Sequence, residues 1–94
     1  MEGIRARGGN VLFVTQFRVI PGQLEEATRM FKHPKMPANI VLHEFLGLLG
    51  KPDALAIFEA PDAVTAADFT VQFGRVADVT TSLALPIEEF KWTW

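Results

Sequence analysis

Residues 40–49 read IVLHEFLGLL and residues 54–60 read ALAIFEA, two stretches that are apolar at almost every position. A half-exposed strand alternates apolar with polar side chains, because successive side chains point to opposite faces of a sheet. These stretches are therefore predicted to be strands with two apolar faces. In a domain this small, helices can cover only one of those faces. The second face is expected to meet a partner chain, a ligand, or both.

The length and composition lead to the same expectation. The chain has 94 residues, 49% of them hydrophobic, including eight Phe and two Trp. This length suits one domain, and a domain of this size buries only about 60–65% of the surface that its unfolded chain exposes. Surplus apolar surface tends to mark an interaction site. The composition therefore favours an oligomer.

Several classes of protein are disfavoured by the same composition. The net charge is −2 with no block of like charge, so the sequence does not predict electrostatic binding to nucleic acid or to an anionic membrane. The absence of cysteine excludes a disulfide framework, a thiolate zinc site and a cysteine nucleophile. No run approaches the roughly 18 apolar residues of a membrane span, and no signal peptide is recognisable. We expect a cytoplasmic protein without a cofactor.

Periodicity and turn signals predict the element order βαββαβ. The first ten residues contain three Gly and two Arg without periodicity, which indicates a flexible tail before a single domain over residues 11–94. Leu24, Ala27 and Phe31 recur on one face of the first helix, and Asp62 is the predicted N-cap of the second. Pro86 assigns the last strand to a sheet edge. The predicted strands are 11–19, 40–49, 54–60 and a segment within 77–87, and the predicted helices are 23–32 and 62–74.

This order predicts a ferredoxin-like α+β fold. The link over residues 50–53 is too short for a crossover, so the two apolar strands form an antiparallel hairpin. Right-handed crossovers then give a four-stranded antiparallel sheet with both helices on one face. The apolar strands point to the face without helices. A second copy of the chain, forming a homodimer, is the expected partner of that face.

The segment LGKPDALAIFEAPD over residues 49–62 resembles the central motif of the dimeric α+β barrel superfamily, in particular GYD-type domains and related domain families of unknown function. Pro52 replaces the Tyr of that motif, and the strand followed by Pro21 and Gly22 is similar to the family's entry into its first helix. The resemblance covers residues 11–90 and implies two sheets that face each other across a two-fold axis. The matching residues are Gly50, Asp53, Glu59, Ala60, Pro61 and Asp62.

His43 and Glu44 are the first candidates for chemistry, because they interrupt an apolar strand. As neighbours in a strand they are expected to point to opposite faces, and they cannot act together without a bulge. A polar group among apolar side chains costs about 1–3 kcal/mol unless it finds a partner. The favoured interpretation is a structural hydrogen bond. The alternative is a general base at His43 or a ligand contact at Glu44.

Three further polar residues lie on the two predicted central strands. Gln16 and Arg18 share a face of the first strand, and Glu59 interrupts one face of the third. Arg18 and Glu59 are therefore predicted to form a structural ion pair near one end of the sheet. The alternative is an anion-binding or catalytic role for Arg18 and Glu59, with Gln16 as a ligand contact.

The remaining candidates favour structural roles. His33 lies between a helix end and Pro34, and the two histidines are not at ligand spacing, so no metal site is predicted. Phe90, Trp92 and Trp94 alternate along one face of a terminal strand or arm. Packing against a neighbouring element is the favoured interpretation of these rings, and a wall for a planar ligand is the alternative.

Three functions follow from these observations and from the resemblance. The favoured one is a homodimeric binding or structural module. The second is a cofactor-independent, monooxygenase-like or other small-molecule enzyme with a hydrophobic pocket, onto which His43, Arg18 or Glu59 would converge. The third is a small-molecule sensor that resembles the effector domains of transcription regulators. A small hydrophobic ligand is a candidate partner beside the second copy of the chain, whereas a purely structural module predicts no cavity large enough for a ligand.

Overall fold

The computed structural model describes residues 6–91. It contains four strands and two α-helices in the predicted order. One short 3-10 turn follows the second helix and another follows the fourth strand. The elements are β1 (Val11–Val19), α1 (Leu24–Lys32), β2 (Val41–Gly47), β3 (Ala54–Ala60), α2 (Ala63–Thr70) and β4 (Ala77–Ala84), with 3-10 turns at Val71–Phe73 and Ile87–Glu89.

The strands form one antiparallel sheet with the order β2-β3-β1-β4. The hairpin between β2 and β3 is confirmed, and so is the edge position of β4 that Pro86 indicated. Residues of both helices pack in one core with the same side of the sheet. The domain therefore has the ferredoxin-like α+β fold that the sequence predicts.

Phenylalanine side chains fill the space between the sheet and the helices. Phe17 of β1 is fully buried, and its ring lies 5.0 Å from Phe31 of α1, 5.3 Å from Phe45 of β2 and 5.1 Å from Phe73. Phe58 of β3 contacts Phe69 of α2 at 4.9 Å between centroids. Such tilted and edge-on pairs add to the gain from burial alone. The core is therefore held by one connected aromatic cluster.

The two helices differ in how they attach to the sheet. Asp62 caps α2 as predicted, because its Oδ1 accepts a hydrogen bond of 2.8 Å from the Thr65 amide. The backbone of α2 closely approaches β3. In α1 only Ala27 is fully buried, and Leu24, predicted to share a helix face with Ala27 and Phe31, is 65% exposed. A gap is left beside α1 as a result.

We call the sheet surface without helices the open face. Its central residues come from β1 and β3, because they alternate with the buried core residues of those strands. The open face consists of Leu12, Val14, Gln16, Arg18, Leu55, Ile57 and Glu59 in the centre, with Val41, His43, Glu44, Leu46, Asp78, Thr80, Ser82 and Ala84 on the outer strands.

No helix within residues 6–91 is both long and apolar enough to span a bilayer.

Candidate functional site

A β-bulge in β2 brings His43 and Glu44 to the same face of the sheet. Leu42 pairs with Phe58 on the helix side, and Glu44 pairs with Ile57 on the open face, so His43 is an extra residue without a cross-strand partner. A bulge sets two residues of one strand opposite one residue of the other and breaks the alternation. The expectation that His43 and Glu44 point to opposite faces is therefore wrong.

The bulge presents His43 to a fully buried carboxylate. Nε2 of His43 lies 2.5 Å from Oε2 of Glu59. The other carboxylate oxygen, Oε1, accepts hydrogen bonds from the Arg7 amide at 2.9 Å and from Nδ2 of Asn10 at 3.1 Å. Burial raises the pKa of the Glu59 carboxyl, but the hydrogen bonds from Arg7, Asn10 and His43 outweigh it, and the pKa lies below its usual value. Glu59 is thus an ionised acceptor inside the sheet.

A tight turn before β1 supplies two of the three donors to Glu59. The Asn10 amide donates to the Arg7 carbonyl at 2.9 Å, and Gly9 has φ of 83°, a value that glycine adopts at little cost. Residues 1–5 of the predicted flexible tail lie outside the described residues. Residues 7–10 form this turn, which covers one end of the open face.

Arg18 does not reach Glu59. In the β1–β3 register Glu59 lies opposite Leu12, whereas Arg18 lies at the other end of β1, opposite Asp78 of β4. The predicted Arg18–Glu59 ion pair is therefore wrong. Gln16 lies between Leu55 and Thr80 on the open face, as its alternation with buried Phe17 indicates.

The geometry of the His43–Glu59 pair resembles that of an acid–base dyad. An ionised carboxylate can only accept hydrogen bonds, so Nε2 of His43 is the atom that donates to Glu59. Nδ1 has no partner within residues 6–91, and in the neutral ring it carries a lone pair. The His43 side chain is 25% exposed, which leaves the ring accessible from the open face. Such a ring can accept a proton from a bound molecule.

An apolar cleft lies on the other side of the sheet, between α1 and the ends of β2 and β3. Its volume is about 490 Å³, within the range of small-molecule sites. Phe31 and Phe45, 5.2 Å apart, contribute aromatic surface, and the exposed Leu24 lines the cleft on the α1 side. The other lining residues are Val19, Thr28, Lys32, Pro34, Leu42, Leu46, Gly47, Asp53 and Ala54.

Asp53, just before β3, links this strand to the end of β1. Its Oδ2 accepts a hydrogen bond of 2.7 Å from the Val19 amide, and its own amide donates to the Phe17 carbonyl at 2.8 Å. Nζ of Lys51 bonds both carboxylate oxygens, at 2.9 and 3.1 Å. The hydrogen bonds from Val19 and Lys51 lower the pKa of Asp53 below its usual value. The carboxylate that lines the cleft is therefore already satisfied.

The residues predicted for chemistry and the cleft lie on opposite sides of the sheet. His43, Glu44, Glu59, Arg18 and Gln16 belong to the open face, and none of them lines the cleft. Asn10 was not predicted as a partner of Glu59, and Lys32 and Thr28 were not predicted as cleft residues. Of these three residues, only Lys32 has a feature that the helix pattern predicts, namely its exposed position in the last turn of α1.

Comparison with protein-family models, curated proteins and solved structures found no match. Within the described residues, no group of three or more His, Asp or Glu side chains is placed to hold a metal ion. Phe90 is partly exposed after the second 3-10 turn, and Trp92 and Trp94 of the predicted arm lie outside the described residues.

Proposed function

We propose that this chain is a binding module that forms a homodimer through the open face. The observation that carries the proposal is an apolar patch on the two central strands of this face. Val14, Leu55 and Ile57 lie side by side on the two central strands, are only partly buried, and are covered by neither helix, whereas the neighbouring Leu12 is already buried. Leu46 of β2 extends this patch and is 40% exposed. Apolar surface of this kind favours association.

The distribution of polar groups supports a protein partner. Asp78, Thr80 and Ser82 of β4 line one side of the apolar patch, and His43 and Glu44 of β2 line the other. An apolar core with a polar rim is the usual anatomy of a protein–protein interface.

The size of the face suits a second copy. Four strands spaced about 4.8 Å apart, with about 3.3 Å per residue along each strand, give a face of roughly 500 Å². Two such faces bury about 1,000 Å² in total, which is the lower end for a specific interface. A sheet face of this size needs a partner surface of similar extent, and a second copy supplies one of matching dimensions and matching twist.

Small-molecule binding in the cleft is the second candidate function. The volume of about 490 Å³ and the aromatic lining favour it. Binding is favoured over catalysis there, because the polar lining residues are Thr28, Lys32 and Asp53 and the His43–Glu59 pair lies on the opposite face. A monooxygenase-like activity in the cleft has no general base among these residues other than the hydrogen-bonded Asp53.

The dimer is tested by sedimentation velocity over a range of protein concentrations. The unmodified chain is expected to sediment as a dimer at micromolar concentration. Leu46→Lys introduces a charge on the exposed margin of the open face, and Ile57→Lys introduces one at its centre. Burying an unpaired charge at an interface is costly, so each variant is expected to raise the dissociation constant about 100-fold or more.

The matched control for these variants is Val64→Lys. Val64 is 73% exposed on α2, on the opposite side of the sheet from the open face. The dissociation constant of the Val64→Lys dimer is expected to stay within about twofold of that of the unmodified chain. A monomeric unmodified chain at micromolar concentration would contradict the proposal, and so would a folded Leu46→Lys variant with unchanged dimerisation.

A further inference from the structure

The geometry points to small monocarboxylates with an aliphatic or aromatic body as the ligands of the cleft, with the Lys32 ammonium pairing with the carboxylate. The inference rests on the second candidate function, ligand binding in the cleft, and names the chemical class of that ligand. Its apolar part follows from Phe31, Phe45 and Leu42, which line the cleft. Its anionic part follows from the charges at the cleft.

Lys32 is the cation that lines the cleft, and it has no ion pair within residues 6–91. Three other cations of this part of the domain, Arg29, Arg75 and Lys51, are engaged. Arg29 and Arg75 both bind Glu26, and Lys51 binds Asp53. A lone ammonium beside an apolar cleft leaves one positive charge for a ligand to complement.

Asp53 does not cancel this charge. Lys51 and the Val19 amide already occupy its carboxylate oxygens. A cationic ligand would have to compete with Lys51 for Asp53, whereas an anionic ligand meets a Lys32 that has no other partner within residues 6–91. The balance of charge at the cleft therefore favours an anion over a cation.

The exposed position of Leu24 supports a ligand in the cleft. A leucine in a helix next to an apolar core is expected to pack inward, yet Leu24 is 65% exposed and lines the cleft together with Leu46. Two exposed leucines on opposite sides of an apolar opening provide contacts for an alkyl chain or a ring. Thr28, whose hydroxyl donates to the Leu24 carbonyl, adds no free donor that would favour a sugar or a similar polyol.

The test uses three probes of equal chain length, octanoate, octan-1-ol and octylammonium, titrated into the full chain at neutral pH and followed by amide chemical shifts. Octanoate is expected to shift the amides of Phe31, Phe45 and Gly47, and to bind about tenfold more tightly than octan-1-ol. Octylammonium is expected to bind more weakly than the alcohol.

Two variants separate the carboxylate from the alkyl chain. Lys32→Gln is expected to weaken octanoate about tenfold and to leave octan-1-ol unchanged, whereas Leu24→Asp weakens both probes. Lys35→Gln is the control, because Lys35 is an exposed lysine near the end of α1 that does not line the cleft, and it should change neither affinity.

Equal binding of octanoate and octan-1-ol at the cleft amides would overturn the monocarboxylate class and leave the cleft as an apolar ligand site. Unchanged octanoate affinity in Lys32→Gln would overturn the role of Lys32. The absence of any shift at the cleft amides with millimolar probe would overturn both the inference and the second candidate function. Sedimentation tests the dimer independently of all three results.

Discussion

Replacing Phe17 with alanine is expected to lower the free energy of unfolding by about 4 kcal/mol, the middle of the range for a buried aromatic residue. Phe17 is fully buried on a central strand, and its ring contacts three other rings, those of Phe31, Phe45 and Phe73. Removing it leaves a cavity between α1, the sheet and the 3-10 turn. Domains are stable by only about 5–15 kcal/mol, so this loss is a large part of the margin.

The loss is measured by urea unfolding at one fixed protein concentration, because dimerisation would make the stability depend on concentration. Phe17→Leu, which keeps most of the volume, is expected to cost about 1.5 kcal/mol. Leu24→Ala, at an exposed position of α1, is expected to change the stability by less than about 0.5 kcal/mol. Equal losses for Phe17→Ala and Leu24→Ala would show that the aromatic cluster does not hold the core.

Replacing Glu59 with alanine is expected to cost about 3 kcal/mol, because it leaves several polar groups without their acceptor. The Arg7 amide, Nδ2 of Asn10 and Nε2 of His43 all donate to this carboxylate. Glu59→Gln keeps one oxygen acceptor for the turn before β1 and is expected to cost about half as much. Urea unfolding measures both, and the amide shifts of Arg7 and Asn10 report whether the turn is retained.

Glu59 also predicts a specific dependence of stability on pH. Its pKa is lower in the folded chain than the usual Glu value of about 4.3, so the folded state holds the ionised form more strongly than the unfolded state does. This contribution is fully present above about pH 4.3, and it is lost as the pH falls through the folded pKa. The free energy of unfolding of the unmodified chain should therefore fall more steeply below about pH 4.3 than that of Glu59→Gln.

The difference between these two proteins isolates Glu59 from the other acidic groups. Glu26, Asp53 and Asp62 also have lowered pKa values, and they contribute equally to both proteins. Glu26, held by Arg29 and Arg75, has a pKa of about 2 and extends the acid-sensitive range to lower pH. Parallel stability curves from neutral pH down to about pH 3 would contradict an ionised, hydrogen-bonded Glu59 in the folded chain.

The bounds of a strand can be predicted from sequence where turn and capping residues directly flank it. The bounds of β1 and β3 coincide with the predicted residues 11–19 and 54–60. Pro21 and Gly22 limit the first strand, and the Pro61–Asp62 cap limits the third. The second strand is shorter than predicted, ending at Gly47, because Leu48 and Leu49 belong to the turn and are exposed. Apolar character alone does not distinguish a strand from an exposed turn.

The polar site was not predicted because it depends on pairing between distant residues. Alternation assigned His43 and Glu44 to opposite faces, and only the register with β3 shows the extra residue. The same register separates Arg18 from Glu59 by most of the length of β1. The turn at residues 7–10 has no apolar periodicity, so nothing in its sequence indicated that it would bond to Glu59, 49 residues away from Asn10.

The cleft shows a different limit of prediction from sequence. The spacing of Leu24, Ala27 and Phe31 correctly describes one side of α1, but periodicity does not tell how far a helix stands from its sheet. Ala27 and Phe31 pack on the core, while Leu24 is left beside open space. The distance is set by tertiary packing around Phe17 and Phe45, which no local pattern encodes.

The bulge in β2 makes His43 an insertion in an otherwise regular strand. Without this residue, Leu42 and Glu44 would be consecutive partners of Phe58 and Ile57, and the alternation between core and open face would run unbroken from Val41 to Leu46. A deletion of one codon could therefore remove the histidine and leave every other side chain of the strand on its own face. The register of the sheet therefore does not depend on His43. Insertion or deletion of a single codon would add or remove the imidazole side chain while the sheet is retained.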